Sequence, residues 1–357
     1  MITSSTKASP LAVCPKQNTW TGGSSKRICH RYLIMYSLIW LFLTAAESLA
    51  ATREYFIAAE DVVWDYAPAG KDVTHDVPLP PDAEGHTKWN KTRFIEYVGE
   101  DFQKRKAEVK GLGILGPIIR AEVGDTVIVH FRNHGKRPYS MHPHGLRYTK
   151  NDEGADYQPS GAGGRVNPGE SYTYTWFADA RSGPGPRESS STVWWYHSHV
   201  DEPEDINAGL LGPIVVTAQG QAKEDGSPID IQRELFTMFM TFSEVDGGIS
   251  DKKDLVLMNT INGYVYGNLP GLEMHHKESV RWYVLGMGNE RDIHTAHWHG
   301  ERVEWNGRHT DVVELLPASM VTVNMIADNP GVWLYHCHVA EHMKYGMHAS
   351  FTIHQSK

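Results

Sequence analysis

Twenty histidines in 357 residues are the chemical signal of this chain, and eight of them form four His-x-His pairs: His142/His144, His197/His199, His297/His299 and His336/His338. At that frequency chance supplies about one such pair, so a lone pair would mean little and four point to metal. Alternate residues of a β-strand share a face, and imidazoles at i and i+2 can therefore serve one metal cluster. The last motif is the most specific: His336-Cys337-His338-Val339-Ala340-Glu341-His342-Met343-Lys344-Tyr345-Gly346-Met347. On a strand, Cys337 must point away from His336 and His338. With His342 and Met347 on the return loop it supplies three members of a set of two histidines, one cysteine and a weak axial methionine, the donors of a blue-copper electron-transfer centre. The missing histidine is assigned to His294, in His294-Thr295-Ala296-His297-Trp298-His299. The eight paired histidines remain on the opposite side. Imidazole suits copper, and eight of them can hold three ions with open positions. Cys337 is bonded through the backbone to both His336 and His338, so the two sets are covalently joined. One-electron input at one centre and several coppers at the other are what reduction of O2 to water requires. A buried core thiol is the plainer reading of Cys337, and the ligands around it in the motif argue against that reading.

Short alternating segments must position these residues. Thr126-Val127-Ile128-Val129-His130-Phe131, Ser171-Tyr172-Thr173-Tyr174-Thr175-Trp176, Val280-Arg281-Trp282-Tyr283-Val284 and Met320-Val321-Thr322-Val323-Asn324-Met325 alternate and are separated by Gly, Pro and Asn. That is the pattern of strands in sandwiches or barrels, and no long stretch has helical period. The pattern also repeats. Pro168-Gly169-Glu170-Ser171-Tyr172-Thr173-Tyr174 resembles Pro317-Ala318-Ser319-Met320-Val321-Thr322-Val323, and Trp195-Tyr196-His197-Ser198-His199-Val200 resembles Leu334-Tyr335-His336-Cys337-His338-Val339. An all-β chain of two related domains is expected, about 53–220 and 230–357, joined by the polar stretch from Gln219 to Asp230. The glycine run from Gly161 to Gly164 reads as a flexible loop, and His275, His276 and His309 read as surface histidines.

Composition removes other functions. With 34 Lys+Arg against 43 Asp+Glu the net charge is -9, so there is no basic face for nucleic acid. Three cysteines cannot build a disulfide scaffold. Residues 1–46 hold five bases and no acid, and the apolar run Leu33 to Ala46 is followed by Ser48 and Ala50. This reads as a secretory leader, residues 1–50, cleaved after Ala50, with a membrane anchor or an organellar transit peptide as alternatives. The apolar run is short for a span, which needs about 20 residues. Removal of the leader takes Cys14 and Cys29 with it, leaving Cys337 as the lone thiol of a secreted protein. The sequon Asn90-Lys91-Thr92 is compatible with that route.

The order HPH, HSH, HTAHWH and HCHVAEHMKYGM resembles the multicopper oxidase family, and the intervening wording is similar to its ceruloplasmin/hephaestin-like branch: Gly113-Ile114-Leu115-Gly116-Pro117, Ala121-Glu122-Val123-Gly124-Asp125-Thr126, Ile261-Asn262-Gly263 and Gly286-Met287-Gly288-Asn289-Glu290. The similarity covers residues 53 to 355. It implies two cupredoxin-like Greek-key domains. It also implies one type 1 copper on His294, Cys337, His342 and Met347, and one type 2 copper on His142 and His297. His144, His197, His199, His299, His336 and His338 would hold two type 3 coppers. Ser198 stands in the first domain where the copper cysteine would be, so only the second domain would carry type 1 copper. The six-domain members close a ring of three domain pairs, which implies that a two-domain chain rebuilds the ring as a homotrimer.

The reaction so implied couples one-electron oxidation of a substrate, Fe(II) first, to reduction of O2. A laccase-like oxidase of phenols or aromatic amines is the alternative, and a non-catalytic copper-binding module is a third reading that the complete ligand set disfavours. Ferrous iron prefers oxygen ligands. Glu341, before His342, and Asp254, five residues before Asn259, match acids of the iron-holding group in that branch, whereas Asn259 replaces a histidine.

Overall fold

Burial along the segment from Thr126 to Asn133 alternates strictly, one residue dry and the next half-wet, as a strand with one face on a core requires. The computed structural model describes residues 50–81, 83–245 and 255–355. The proposed leader, with Cys14 and Cys29, and the acid Asp254 lie outside them. Among the described residues no helix is long and apolar enough to cross a membrane.

The first half of the chain forms β1 (Thr52–Asp65), β2 (Lys71–Asp72), β3 (Val77–Pro78), β4 (Lys88–Tyr97), β5 (Ile119–Glu122), β6 (Thr126–Asn133), β7 (His142–Pro143), β8 (Arg147–Tyr148), β9 (Ser171–Phe177), β10 (Ser191–His197), the short helix α1 (Glu202–Ala208) and β11 (Leu211–Thr217). The second half forms β12 (Arg233–Val245), β13 (Leu255–Ile261), β14 (Glu273–His275), β15 (Ser279–Gly286), β16 (His294–Trp298), β17 (Val303–Trp305), β18 (Arg308–Thr310), β19 (Val312–Leu315), β20 (Met320–Ile326), β21 (Gly331–Cys337), α2 (Ala340–Lys344) and β22 (His348–His354). The first sandwich packs a sheet ordered β4-β1-β6-β9-β8 on one ordered β5-β11-β10-β7. The second packs β13-β12-β15-β20-β17-β18 on β14-β22-β21-β16-β19. The chain crosses between sheets, so sheet neighbours are often distant in sequence, the Greek-key pattern. The repeat seen in the sequence is also a repeat of topology. β1 and β6 pair in parallel, as do β12 and β15; β11 and β5 pair in parallel, as do β22 and β14. The fold is thus the all-β, two-sandwich architecture expected.

Three large apolar cores and a small cluster of Ala58, Ile95 and Tyr97 result among the described residues, and the middle large core belongs to both halves. Along β11, Ile214 and Val216 face the first core, whereas Leu211 and Val215 join Val193 and Trp195 in the middle one. Across from them, Phe236, Met238, Met240 and Phe242 of β12 and Tyr283 and Leu285 of β15 enter that middle core, while Val280, Trp282 and Val284 enter the second. Strands buried on both faces lose polar alternation, which is why β11 reads as a continuous apolar run. Arg281 is fully buried on β15 and crosses the seam to donate to Ser191 Oγ (2.7 Å) and Ser190 Oγ (2.9 Å).

The glycine run from Gly161 to Gly164 differs from the loop expected. Ala162–Gly164 form a 3-10 turn with Gly163 and Gly164 buried, and a Cβ at Gly163 would press on the Tyr172 and Tyr174 rings. Small size, rather than mobility, is what the position requires.

Candidate metal centres

β16 and β21 pair antiparallel with Ala296 opposite Cys337 and His297 opposite His336. Parity along these two strands sorts the ligand-type side chains onto two faces. Ala296, Trp298, Tyr335 and Cys337 point into the second core, and His294 shares their parity on β16. His297 and His336 take the other face.

On the inner face, His294, Cys337 and His342 offer ligand atoms that all lie within 4.8 Å of one another. Cys337 Sγ is 3.8 Å from His294 Nδ1 and 3.7 Å from His342 Nδ1, and those two nitrogens are 3.0 Å apart. His342 arrives on α2, and the backbone closes the loop, with Cys337 N donating to Met347 O and Met347 N to His342 O. Met347 is fully buried in the same core as Cys337. The His294 tautomer is set from behind, because its Nε2–H donates to Asp292 Oδ1 at 3.0 Å and leaves the Nδ1 lone pair facing the sulfur. Asp292, itself buried, also accepts from Thr241 N (2.7 Å) and Asn289 N (2.8 Å). Gly288 makes room for it: with φ +123°, a Cβ there would collide with the Asp292 carboxylate. Burial pushes the Cys337 thiol up and the His342 imidazole down, so without a cation these two are held neutral. A bound cation reverses the bias at sulfur by favouring thiolate.

On the outer face, His297, His299 and His336 converge. His336 Nε2 lies 3.1 Å from His297 Nδ1 and 3.0 Å from His299 Nε2, and the His338 ring sits 5.2 Å from that of His297. His336 Nδ1–H donates to Cys337 O at 2.8 Å, so Nε2 presents a lone pair to its neighbours. The first domain builds a matching group. His142 stands on β7 opposite His197 at the end of β10; His144 Nε2 and His197 Nε2 are 3.0 Å apart, and the His199 ring is 5.3 Å from that of His142. His142 Nδ1–H donates to Glu153 O (2.6 Å) and His197 Nδ1–H to Ser198 O (2.9 Å), again freeing Nε2. Burial holds His144 at about 4, His197 at about 3 and His336 at about 4, neutral and ready as ligands at ordinary pH.

The eight paired histidines are therefore two quartets, 142/144/197/199 and 297/299/336/338. Among the described residues no histidine of one quartet has a ring contact or hydrogen bond with one of the other. Two acids missed in the sequence reading flank them: Glu202 Oε2 is 3.2 Å from His199 Nε2, and Asp311 Oδ2 is 3.7 Å from His297 Nε2. Asp292 was missed too. A lone acid carries no spacing signal, although Asp292 does stand two residues before His294, on the same strand parity.

Ser198 is used otherwise than Cys337. Its hydroxyl donates to buried Asp205 at 2.7 Å, and its oxygen accepts from Ser140 N at 3.1 Å. Of the two carboxylates considered for iron, Glu341 lies exposed on α2. Asn259 is buried and accepts the Thr241 hydroxyl at 3.0 Å, which links it through Thr241 and Asp292 to His294.

Paired nitrogens with their protons turned outward, beside a thiol that burial keeps from ionising, fit the donor preferences of copper. Comparison with known proteins agrees. Residues 100–221 match one multicopper oxidase family model and residues 250–357 a second. The chain belongs to the multicopper oxidase family. It is 37% identical to human hephaestin over 90% of this chain and 31% of hephaestin. It is also 37% identical to the human protein named ferroxidase HEPHL1, over 86% of this chain and 30% of that one. The chain thus spans about a third of the length of these relatives. The solved structure of the blue copper oxidase from Nitrosomonas europaea superposes with a TM-score of 0.59 at 20% identity, over 85% of this chain and 86% of that one, which shows a shared fold. The two matched regions fall one in each of the sandwich domains described above.

Proposed function

We propose that this multicopper oxidase takes electrons one at a time from ferrous iron and delivers them to dioxygen, reducing it to water. The observation that carries the reading is the back-to-back arrangement on β16 and β21, where the Cys337 group and the His336 group occupy opposite faces of one strand pair and are joined by a single peptide unit. His294, Cys337, His342 and Met347 would hold one copper, His142 and His297 another, and His144, His197, His199, His299, His336 and His338 a pair. Copper bound there supplies one-electron redox steps and the place where dioxygen is reduced.

The chain's own residues have separable tasks. Asp292 fixes the His294 tautomer, and the carbonyls of Glu153, Ser198 and Cys337 do the same for His142, His197 and His336. The second core keeps water from Cys337. Glu202 and Asp311, beside the quartets, are placed to hold or relay the protons that water formation consumes. Glu341, next to His342 in sequence, and the acid Asp254 would favour Fe(II) as the electron donor, because carboxylates stabilise the higher charge of Fe(III) more than that of Fe(II). The name of the human relative supports iron. The position of Asn259, whose amide oxygen is engaged by Thr241 and which offers no imidazole, favours the second reading, a laccase-like oxidase of phenols or aromatic amines. Steady-state kinetics of the purified protein with ferrous iron and with a phenol decides between them. A kcat/KM for the phenol above that for iron would reject the ferroxidase.

The separation of the quartets supports a shared cluster. One quartet lies in each domain, so a complete set of eight forms where the second domain of one copy meets the first domain of another. A head-to-tail contact of this kind closes into a ring, here a homotrimer. The outer face of β21, with Val332 exposed at the same parity as His336, is the surface that contact would cover. The secretory leader belongs to the same proposal, as an extracellular copper oxidase.

A further inference from the structure

Outside the copper-type groups one further set of ligand atoms converges among the described residues. Asp72, His75 and His348 offer a carboxylate oxygen and two ring nitrogens, all within 4.8 Å of one another. Asp72 ends β2 and His75 follows in the turn to β3, both in the first domain; His348 begins β22 in the second. Asp72 and His348 are buried, and His75 is largely exposed.

Each ligand is held from behind. Asp72 Oδ1 accepts from Thr74 N (2.9 Å) and His75 N (3.1 Å), which leaves Oδ2 turned to the two imidazoles. Oδ2 lies 2.8 Å from His75 Nδ1 and 3.9 Å from His348 Nε2. The second gap is too long for a hydrogen bond. On its far side, His348 Nδ1 meets Thr74 Oγ1 at 3.1 Å. With Nδ1–H donated to that hydroxyl, a nitrogen lone pair and a carboxylate lone pair face each other across the gap. A hydrogen bond between Asp72 and His75 accounts for one contact and leaves His348 Nε2 with only the 3.9 Å approach of Asp72 Oδ2. A cation between the three groups satisfies all of them.

The hairpin that carries Asp72 and His75 is tied to the second domain. Val73 N donates to Tyr266 O, and Gly267 N to His348 O. Gly267, at φ +72°, lies so close to the hairpin that a Cβ would collide with Thr74 Oγ1.

We propose that Asp72, His75 and His348 bind a divalent first-row cation of the zinc class at the seam between the two domains. Two imidazoles and one carboxylate with open positions is a zinc-type donor set, completed by water on the exposed side of His75. Calcium and magnesium prefer oxygen ligands and are disfavoured. The bound ion clamps the β2–β3 hairpin onto the first residue of β22, next in sequence to Met347.

Zinc alone is the probe, because it is colourless and redox-silent beside copper. Copper-loaded full-length protein is equilibrated with Zn2+, and metals are counted by mass spectrometry, with affinity from calorimetry and stability from thermal unfolding. The expected result is one zinc per chain beyond the copper, an unchanged visible spectrum and copper content, and a raised Tm. His75→Ala, at an exposed position that the fold tolerates, and Asp72→Asn should weaken zinc binding at least about tenfold and abolish the Tm shift while keeping the copper. Zinc uptake matched by copper loss, uptake unchanged in both variants, equal binding of Mg2+, or no uptake would each overturn the proposal.

Discussion

His336 and Cys337 are consecutive residues of β21, and their side chains serve opposite faces of one sheet. The thiol shares the inner side with His294 and His342, and the imidazole shares the outer side with His297 and His299. Whatever leaves one group reaches the other through a few covalent bonds.

The first test is at the thiol. Cys337→Ser replaces a fully buried thiol with a hydroxyl of nearly equal size, at a cost to folding of about 1–2 kcal/mol. The intense visible band and all turnover should vanish while circular dichroism keeps the β signature. Metal analysis should fall by one copper per chain. Full oxidase activity in the Ser variant would refute the assignment.

Asp292 should matter nearly as much as a ligand. Asp292→Asn weakens its grip on His294 and should lower copper affinity at the blue centre by about 10–100-fold, read by chelator titration of the visible band. Gly288→Ala should reproduce the loss without touching either residue, because its Cβ displaces the carboxylate. A wild-type titration curve in both variants would remove Asp292 from the site.

Clusters shared between copies, as proposed, would permit complementation. His197→Ala disables the first quartet and His336→Ala the second, so each variant alone should be inactive. Co-refolded as a one-to-one mixture, they should regain about a quarter of wild-type activity, since random assortment pairs intact quartets in that fraction of contacts. Light scattering should report a trimer. An active monomer, or no recovery in mixed trimers, would place both quartets within one chain's own site.

The substrate question turns on acids. The double variant Asp254→Ala/Glu341→Ala should raise KM for ferrous iron strongly and leave oxidation of a neutral aromatic amine nearly unchanged. Equal losses on both, or no loss on iron, would favour the laccase-like reading.

Stability should depend on Arg281. Arg281→Ala removes the hydrogen bonds that tie Ser190, Ser191 and Asn324 together at the domain seam and leaves a buried void there, with an expected loss of about 3 kcal/mol by denaturant unfolding.

Much of this site could be read from residue order because strand chemistry makes spacing meaningful. The i, i+2 rule puts His336 and His338 on one side and Cys337 on the other, and the repeat of Trp195–Val200 in Leu334–Val339 pairs β10 with β21. What spacing does not encode stayed hidden. Asp292 and Asp311 each act through one histidine, and Glu202 through the neighbours His199 and His197. Asp72 and His348 are separated by most of the chain and meet only because the β2–β3 hairpin folds against β22. The β11 segment carries no alternation for a physical reason, since both of its faces are dry. The Gly161–Gly164 run was misread because composition alone does not separate a glycine that moves from one that is crowded by tyrosine rings.

The strands β10, β11, β12 and β15 each lend alternate side chains to two cores. Neither sandwich can melt without stripping a wall from its neighbour's packing, so the cooperative unit is the pair. Heating should therefore give one calorimetric transition whose van't Hoff enthalpy corresponds to the whole body. In the proposed assembly of such bodies, motion among the described residues would concentrate between chains, at the seam where the two histidine quartets would meet.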